Sequence, residues 1–586
     1  MVGVAYDCLA NPLGAVRSTF EKAVSSGSDP ASFAGRDWGA VDLFRAFLFD
    51  DGALSQVPTL NSSTIKWIQP NTLVRFRGMV QDMLGNELYV GAYKDGSVWR
   101  TNKFVDVAQY PIDSCSDTRI WERRMLYCVP VPGLNSWAES PAVLYRSMAS
   151  TSQHGEKRLR LDGSTDNMDF DVSDEAIQGS PCTKRLKEDV HHSQSQELNI
   201  VGTSSSMSLL PDVNKDSLPC LVKIYDCPES DMKLNEVFEF VGVFTFDPEF
   251  KVENDDDEVA NGFSEDVSVQ LPPNMVPRVH CLTHRKLTVV DFLPSSPTLE
   301  VKPNVVKEIR NALLRHLTAV LGDDGVAAQF LLLHLLSTVY SRVGTVAVGK
   351  LSLNLNGFNK ESVPVFGPRL LLAIKNLLPF TQCIPLTVDY LNNASLAPKK
   401  DYETNRLITG ALQLAEGSHL IFDETRLEAG TLNSVGVENA RLLKILMEMQ
   451  KVEYEFQYYK LDMEADVQLL VLSEGKSNIL PADMVLPIQP SSVDSFEATA
   501  EALGAWRSYL ATIRSLPHSI EPEMQKVIEN DLVEAKQADR SMGTQDFSRM
   551  LTMARLLSMS FGETSLSMEH WQMVKELERL RKERLK

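Results

Sequence analysis

Two short stretches of the chain contain residues that could together bind and hydrolyse a nucleotide. GTVAVGKL (344–351) comes within one residue of the phosphate-binding pattern G-x-x-x-x-G-K-[ST], in which backbone N–H groups and a lysine hold phosphate oxygens. HLIFDET (419–425) is an apolar run that ends in Asp423 and Glu424. In nucleotide hydrolases such a pair supplies an Asp that helps to hold the metal and a Glu that polarises the attacking water. The elements around the two stretches decide whether this chemistry is available.

The elements around Lys350 come in the wrong order for a phosphate loop. Such a loop follows a strand and precedes a helix, so that the helix N-terminus points at the phosphates. Here the residues before Gly344 have helical spacing, whereas those after Lys350 alternate between leucine and a polar residue, which is typical of a strand. Leu351 also stands where a Ser or Thr hydroxyl would bind magnesium. We therefore predict a plain helix-to-strand turn.

The connection after the strand LSLNLN (351–356) has the position that a phosphate loop needs. It reads GFNKESVPVFGPRLLLAIKNL, contains Lys360 and Ser362, and offers Pro368 as the first residue of the next helix. No G-K-[ST] step occurs in this connection to place an ammonium and a hydroxyl on adjacent phosphate oxygens. Asp423 and Glu424 are therefore predicted to be inactive, and we expect no cofactor and no catalytic residue.

Composition narrows the classes of partner. The chain has 586 residues and a net charge of −20, which disfavours binding to a phosphate backbone and favours protein partners. The longest apolar run, FLLLHLL (330–336), is too short to span a bilayer, and the N-terminus lacks the features of a secretory signal, so we expect neither membrane nor export. The eight cysteines form no C-x-x-C pair that would indicate zinc.

The first half of the chain is predicted to contain a small β-barrel of the oligonucleotide-binding (OB) type. TLVRFRGMVQDM (72–83) alternates, LGNE supplies a turn and LYVGAYK a second strand, which predicts a β-hairpin. Strand patterns return at 219–226, 234–247 and 277–286. Between the hairpin and these later strands, residues 146–216 are polar, almost without aromatics and without periodicity, so we predict a disordered insertion.

From residue 303 the pattern alternates between helices and apolar strands, as expected for an α/β unit. Helices are predicted at 303–320, 325–342, 368–378 and 436–450, with the strands LSLNLN, IPLTVDYL, HLIFDE and VQLLVLSE between them. Beyond about 495 only helical spacing remains, ending in a charged helix. The predicted division is a helical region at 1–70, the barrel at 71–290, the α/β unit at 300–492 and a helical domain at 493–586.

Basic and aromatic residues alternate along the predicted barrel strands. They form either a face that stacks single-stranded nucleic acid or, as we favour, a core of aromatics with charges at its rim. The residues are Arg75, Arg77, Lys94, Arg100 and Lys103, with Phe76, Tyr89, Tyr93 and Trp99. A second cluster, HCLTH (280–284), is read as ordinary strand rather than metal site, because adjacent strand residues face opposite sides.

The segment GALQLAEGSHLIFDET (410–425) resembles the region around the acidic Walker B motif of the minichromosome maintenance (MCM) helicases. The likeness continues through LLKILMEMQKVEYEFQYYK and VQLLVLSEG, but SEGKS (473–477) lacks the sensor asparagine, no arginine-finger stretch occurs near 479–490, and Asp546 lies near the expected sensor arginine. The resemblance implies a degenerate AAA+/MCM-like α/β ATPase domain followed by a helical lid-like domain.

Longer stretches resemble the MCM-binding protein family over nearly the whole chain. They include LVRFRGMVQDMLGNELYVGAY, WERRMLYCVPVPGLNSW, KLNEVFEFVGVFTFDP and KKDYETNRLITGALQLAEGSHLIFDET. The resemblance implies a nuclear, non-enzymatic protein that binds MCM helicase subunits, promotes their release from chromatin late in S phase and supports sister-chromatid cohesion. Chromatin association would then be indirect, through the MCM subunits. A single-strand-binding protein and a weak ATPase stay open as alternatives.

Two basic clusters in the predicted insertion, KRLR and KRLK, are candidates for nuclear import, because exposed cations are unusual in an acidic chain. The residues are Lys157, Arg158, Arg160, Lys184, Arg185 and Lys187.

Overall fold

The structure is a computed structural model, and it describes residues 7–34, 36–50, 52–106, 115–139, 218–246, 276–293, 302–358, 363–492, 497–538, 540 and 542–586. The predicted insertion (146–216) and both basic clusters lie outside these residues, so the predictions made for them stay predictions. The described residues form a mixed α/β protein with several sheets, which confirms the predicted class at that level.

Two N-terminal helices, α1 (Pro12–Ser25) and α2 (Ala40–Arg45), pack against the first sheet. Helix α1 begins after Asn11, whose side chain accepts a hydrogen bond from the Gly14 N–H. Within the helical region predicted at 1–70, α2 is α-helical to Arg45 and continues as a π-helical turn at Ala46–Asp50.

The first sheet closes on itself. Its strands are β1 (Leu73–Asp95), β2 (Val98–Thr101), β3 (Cys115–Val129), β4 (Cys220–Ile224), β5 (Val237–Thr245) and β6 (Arg278–Lys286). They are ordered β2-β1-β3-β4-β6-β5, and β5 pairs back onto β1, with Leu73 opposite Val243. Phe76 and Phe240 are among the buried side chains inside the ring. The short helix α3 (Ser136–Glu139) follows β3.

The hairpin predicted at LGNE is wrong. Strand β1 runs through this segment for 23 residues and pairs with β3 on both sides of it. The extra residue is absorbed as a register shift between Met83 and Gly85, where Gly85 has φ +89°. A glycine at positive φ is therefore as compatible with a β-bulge as with a turn. The chain reverses instead after Asp95, which pairs with Val98 around Gly96.

A second, fully parallel sheet forms the centre of the α/β unit. It follows helices α4 (Pro303–Val320) and α5 (Gly325–Leu336) and the hairpin β7 (Ser341–Val343) and β8 (Val346–Val348). Its strands are β9 (Leu353–Asn356), β10 (Thr381–Pro385), β13 (Ser418–Asp423), β16 (Val467–Leu472) and β17 (Met484–Pro487), in the order β10-β13-β16-β9-β17. Helix α6 (Val363–Leu377) connects β9 to β10.

Four predictions in this unit need correction. The helix predicted at 325–342 ends at Leu336. GTVAVGKL contains the turn and the second strand of the β7–β8 hairpin and is therefore not a plain helix-to-strand turn. Helix α6 begins at Val363, so Pro368 lies inside the helix and does not open it. Only the first residues of IPLTVDYL are strand, because Thr387 caps a new helix, α7 (Val388–Asn393), by accepting from the Tyr390 N–H.

A smaller sheet lies beside the parallel one. It consists of β11 (Lys399–Asp401), β12 (Arg406–Ile408), β14 (Lys451–Phe456) and β15 (Tyr459–Glu464), in the order β12-β11-β14-β15. Helix α8 (Ser434–Met449) precedes β14.

Four C-terminal helices complete the described residues: α9 (Ala500–Arg514), α10 (Pro522–Ala538), α11 (Thr544–Ser560) and α12 (Met568–Arg584). They share one hydrophobic core with α4, α5 and the parallel sheet, in which Leu556 and Trp571 are fully buried together with Leu332. Among the described residues, no single helix is long and apolar enough to cross a membrane; Asn304–Val320 and Gly325–Leu336 qualify only as a pair, bent by 119°.

Candidate functional site

The acidic pair lies at the carboxyl edge of the parallel sheet. Strand β13 ends at Asp423, and both of its neighbours, β10 and β16, run parallel to it, so their carboxyl ends meet at this edge. Ligands bind outside this edge in open α/β sheets. The carboxylate of Asp423 accepts hydrogen bonds from the backbone N–H and the hydroxyl of Thr425 and lies 3.8 Å from Arg426 Nε. The sequence therefore placed this residue correctly at a sheet edge.

Glu424 is turned towards the protein. Its side chain is buried, and Oε1 accepts a hydrogen bond of 2.6 Å from the Ser477 hydroxyl. Burial raises the pKa of Glu424, and the Ser477 hydrogen bond opposes that shift only in part. Ser477 itself accepts from the Leu480 N–H at 2.9 Å, which fixes its hydroxyl. A carboxyl oxygen that a hydrolase would use for water is thus engaged by a neighbouring strand connection.

The segment that supplies Ser477 contains a G-K-S step (475–477) directly after strand β16. A phosphate loop would continue from here into a helix. In this chain bends and loop follow instead, up to strand β17, and the serine hydroxyl points at Glu424. Ser477 of this step therefore fixes Glu424, and no helix N-terminus follows the step to bind a phosphate.

Lys350 lies at the opposite edge of the sheet. It precedes β9, and its Nζ contacts both carboxylate oxygens of Asp483, at 2.6 and 2.8 Å, just before β17 begins. Ser352 donates to the same carboxylate at 2.7 Å. Strand β9 is four residues long, so it separates this ion pair from the carboxyl edge by about 10 Å. Lys350 and Glu424 do not converge on one ligand.

The connection at the phosphate-loop position is only partly described. The N–H of Gly357 donates to the Glu474 carbonyl at 3.0 Å, and that of Phe358 points at the Ser473 carbonyl. Pro364, the second residue of α6, has no N–H to donate. Lys360 and Ser362 lie outside the described residues. At this edge, the backbone N–H groups of Gly357 and Phe358 are engaged by carbonyls of the protein and Pro364 has no N–H, so none of the three is available to a phosphate.

The proposed single-strand-binding face is not present as one surface. Arg75 and Lys103 are buried, and Lys103 forms an ion pair with Asp226. Arg77 donates to the buried Glu239 at 2.8 Å. Phe76 and Tyr93 are buried as well, whereas Arg100 is exposed and paired with Asp95. The buried aromatics agree with the favoured interpretation of an aromatic core, whereas Arg75 and Lys103 are buried and do not lie at its rim.

The HCLTH cluster takes part in the barrel interior. His280 is fully buried, and its two nitrogens lie 2.7 Å from the Tyr225 hydroxyl and 3.2 Å from Thr245 Oγ1. Burial lowers the pKa of His280 to about 4, so the ring is neutral near pH 7. Among the described residues, no group of three or more His, Cys, Asp and Glu side chains is placed to hold a metal ion.

The sequence did not reveal the contact between the closed sheet and the small sheet. Gln81 Nε2 donates to the Leu407 carbonyl at 2.8 Å, and Asp82 accepts from the Leu407 N–H at 2.9 Å. Gln413 donates to the Gln81 carbonyl at 2.9 Å. The local signal of this contact is the pair of adjacent polar residues, Gln81 and Asp82, which lie buried at a register shift of β1.

The described residues therefore define a mixed α/β protein of several sheets, with a hydrolase-like acidic pair at one edge of the parallel sheet and the candidate Lys350 at the opposite edge. A family described as "Mini-chromosome maintenance replisome factor" matches residues 44–585, and the chain belongs to this family.

Related proteins match from end to end. The chain is 60% identical over 593 residues to the "Mini-chromosome maintenance complex-binding protein" of Arabidopsis thaliana, covering 100% of both chains. It is 34% identical over 627 residues to the protein of that name from Salmo salar and 32% identical over 643 residues to that from Homo sapiens, covering 99% of this chain and 98% of each relative. The predicted family is confirmed.

Proposed function

We propose that this chain is a non-enzymatic regulator of DNA replication that binds subunits of the MCM helicase. One observation carries the proposal: relatives that match over the whole length, one of them at 60% identity, are named for binding the mini-chromosome maintenance complex. The net charge of −20 agrees with protein rather than nucleic-acid partners, so chromatin association would be indirect.

We further infer that the α/β unit at 300–492 is a degenerate AAA+/MCM-like domain, with an OB-like barrel at 71–290, a helical region at 1–70 and a lid-like domain at 493–586. The parallel sheet with an acidic pair at its carboxyl edge supports this inference. Two contacts support the inference that the domain does not turn over ATP. The Ser477 hydroxyl donates a hydrogen bond to Glu424, and Lys350 is paired with Asp483 at the opposite edge of the parallel sheet.

In the mechanism that follows, this chain takes the place of an MCM subunit but does not hydrolyse ATP. The α/β unit has the shape of an MCM motor domain and pairs with an MCM subunit. It contributes neither a phosphate loop nor an arginine finger, so the resulting assembly stays open or inactive. We propose that this promotes release of the helicase from chromatin in late S phase and thereby supports sister-chromatid cohesion. Import into the nucleus would use Lys157, Arg158, Arg160, Lys184, Arg185 and Lys187.

The decisive experiment mixes the purified chain with purified MCM subunits without nucleotide and measures the mass of the complex by size-exclusion chromatography with light scattering. A stable complex that lacks one MCM subunit is expected. The matched control is the chain without residues 300–586, which should no longer bind. Absence of a complex at any ratio overturns the proposed function, and unchanged binding by the shortened chain overturns the role given to the α/β and helical parts.

A further inference from the structure

The small sheet has two edges that the protein treats differently. At one edge, Gln81 and Asp82 satisfy both the carbonyl and the N–H of Leu407 on β12, as a neighbouring strand would. At the other edge lies β15, and no further strand pairs with it among the residues that the structure describes. Unpaired strand edges are templates for pairing with another chain, and proteins usually cover them. Within the described part of the chain, one of the two edges is covered and the other is not.

The backbone of β15 presents hydrogen-bonding groups to this open side. The Ala465 N–H donates to the Gln450 carbonyl, so residue 465 faces β14. Antiparallel pairing alternates, which directs every second residue the same way. The N–H and C=O groups of Lys460, Asp462 and Glu464 therefore point away from β14. They form a row about 13 Å long with the spacing of a strand.

The side chains of β15 continue the apolar face of the small sheet into solvent. On β14, Val452 and Tyr454 are 5% and 1% exposed and belong to the core. Leu461, opposite Tyr454, is 46% exposed, and Tyr459 is 58% exposed, with its ring stacked on Phe456 at 4.8 Å. The core face thus extends past its last strand, which is expected where one more strand belongs.

The charges on the opposite face are balanced within the protein. Each cation has an acidic partner within 4.0 Å: Lys399 with Glu455, Lys451 with Asp462, Arg342 with Glu464, and Arg441 and Lys460 with Glu438 and Glu453. Five cations face five anions in that set, so the hairpin offers no cationic excess to a phosphate backbone. The ligand that fits this edge is a neutral, extended peptide.

We propose that the open edge of β15 binds an extended segment of an MCM subunit, which adds to the small sheet as a fifth strand. The added strand pairs with the outward groups of Lys460, Asp462 and Glu464. Its apolar side chains, at alternate positions, cover Tyr459 and Leu461. Main-chain pairing supplies the affinity and the apolar positions supply specificity. This inference rests on the proposed function, because relatives are named for binding the MCM complex.

A second copy of the chain fits the edge less well. Pairing of two six-residue strands gives a footprint of roughly 20 Å by 10 Å per copy, whereas a stable interface needs about 800 Å² from each partner. A subunit of another protein that also contacts other parts of this chain is not limited to that footprint.

The test compares Asp462→Pro with Asp462→Ala in the full-length chain. Both remove the ion pair with Lys451, but only proline removes an outward N–H and places its ring on the open edge. Binding to purified MCM subunits is measured by surface plasmon resonance. We expect Asp462→Pro to weaken binding by about tenfold or more, equivalent to about 1.4 kcal/mol. Asp462→Ala keeps the outward N–H, so it should bind more tightly than Asp462→Pro.

A second measurement does not depend on the variants folding. Hydrogen exchange of the parent chain, resolved to single amides, should show the N–H groups of Lys460, Asp462 and Glu464 gaining protection when the MCM subunits are added. If the parent chain binds and neither these amides nor Asp462→Pro respond, strand addition is overturned while the proposed function stands. If β15-dependent self-association appears instead, the occupant is a second copy and the proposal is wrong. If the parent chain does not bind at all, the proposed function itself fails.

Discussion

The carboxylate of Asp324 is a buried charge that depends on the last turn of the chain. Its side chain is 0% exposed, and its two oxygens accept from both terminal nitrogens of Arg584, at 2.6 and 2.8 Å. They also accept from the backbone N–H groups of Ala327, at the start of α5, and Gln489, after β17, at 2.9 and 2.8 Å. These hydrogen bonds connect helix α12 to the start of helix α5 and to the end of strand β17.

Replacing Arg584 by Met keeps much of the side-chain volume and removes the countercharge. Loss of one partner of a buried ion pair costs about 3–5 kcal/mol, and we expect the lower end because two amide donors remain. The double variant R584M/D324N should recover part of this loss, since Asn is uncharged and its oxygen still caps α5, whereas its NH2 group cannot accept from the Gln489 N–H. The matched control is Arg579→Met on the same helix, where the ion pairs are exposed to solvent and contribute little to stability.

The assay follows the free energy of opening of α5 by amide hydrogen exchange, because a chain of several units need not unfold in one step. In Arg584→Met the exchange of the α5 amides should accelerate by roughly a hundredfold, for a loss near 3 kcal/mol. In Arg579→Met it should change by less than about fivefold. If both variants behave alike, or if D324N does not rescue R584M, Arg584 does not compensate the buried carboxylate and the reasoning is refuted.

Three further outcomes are expected. In Glu424→Gln, association with MCM subunits and ATP turnover should equal those of the parent chain; a hundredfold fall in turnover would reveal a working ATPase. Asp82→Ala should destabilise the contact with β12 by about 1–3 kcal/mol because it leaves the Leu407 N–H unpaired, whereas Asp82→Asn keeps an acceptor and should cost less; separate calorimetric transitions for the two parts in the Ala variant would show the loss. His334 and His419 are buried 2.9 Å apart, and burial lowers both pKa values, that of His334 to about 4. The unfolded rings bind protons near pH 6.5, so stability should fall as pH decreases from about 6.5 to 4; a melting temperature that is flat over this range would contradict the assignment.

The local sequence pattern was sufficient to predict an element whose own residues show a clear periodicity or a clear first residue. Helix α4 begins and ends as predicted, because Pro303 supplies the first helical residue and its apolar residues recur at helical spacing. The strand that ends at Asp423 was also predicted, since a short apolar run is the expected form of a strand buried on both faces. The acidic pair could therefore be assigned to a sheet edge from the sequence.

The rest of the site depends on distant pairings that leave no local trace. Ser477 lies 53 residues from Glu424 in the sequence, and Asp483 lies 133 residues from Lys350, so neither contact follows from periodicity. The C-terminal helix shows the same limit. Its charged sequence indicates a solvated surface, yet Glu578 and Arg581 are buried against each other. A charge pattern does not distinguish solvation from mutual pairing.

The side-chain cover over β12 has a consequence for how the protein is made. The closed sheet is complete at Lys286, and Leu407 follows 121 residues later, so at 5–20 residues per second the sheet is synthesised roughly 6–24 s before its partner strand. The barrel can fold first and wait with both polar groups in place. Asp82 and Gln81 then pair with the edge of β12 as soon as this strand forms. The edge is therefore not exposed to other nascent chains on the same polysome, with which an unpaired strand could aggregate.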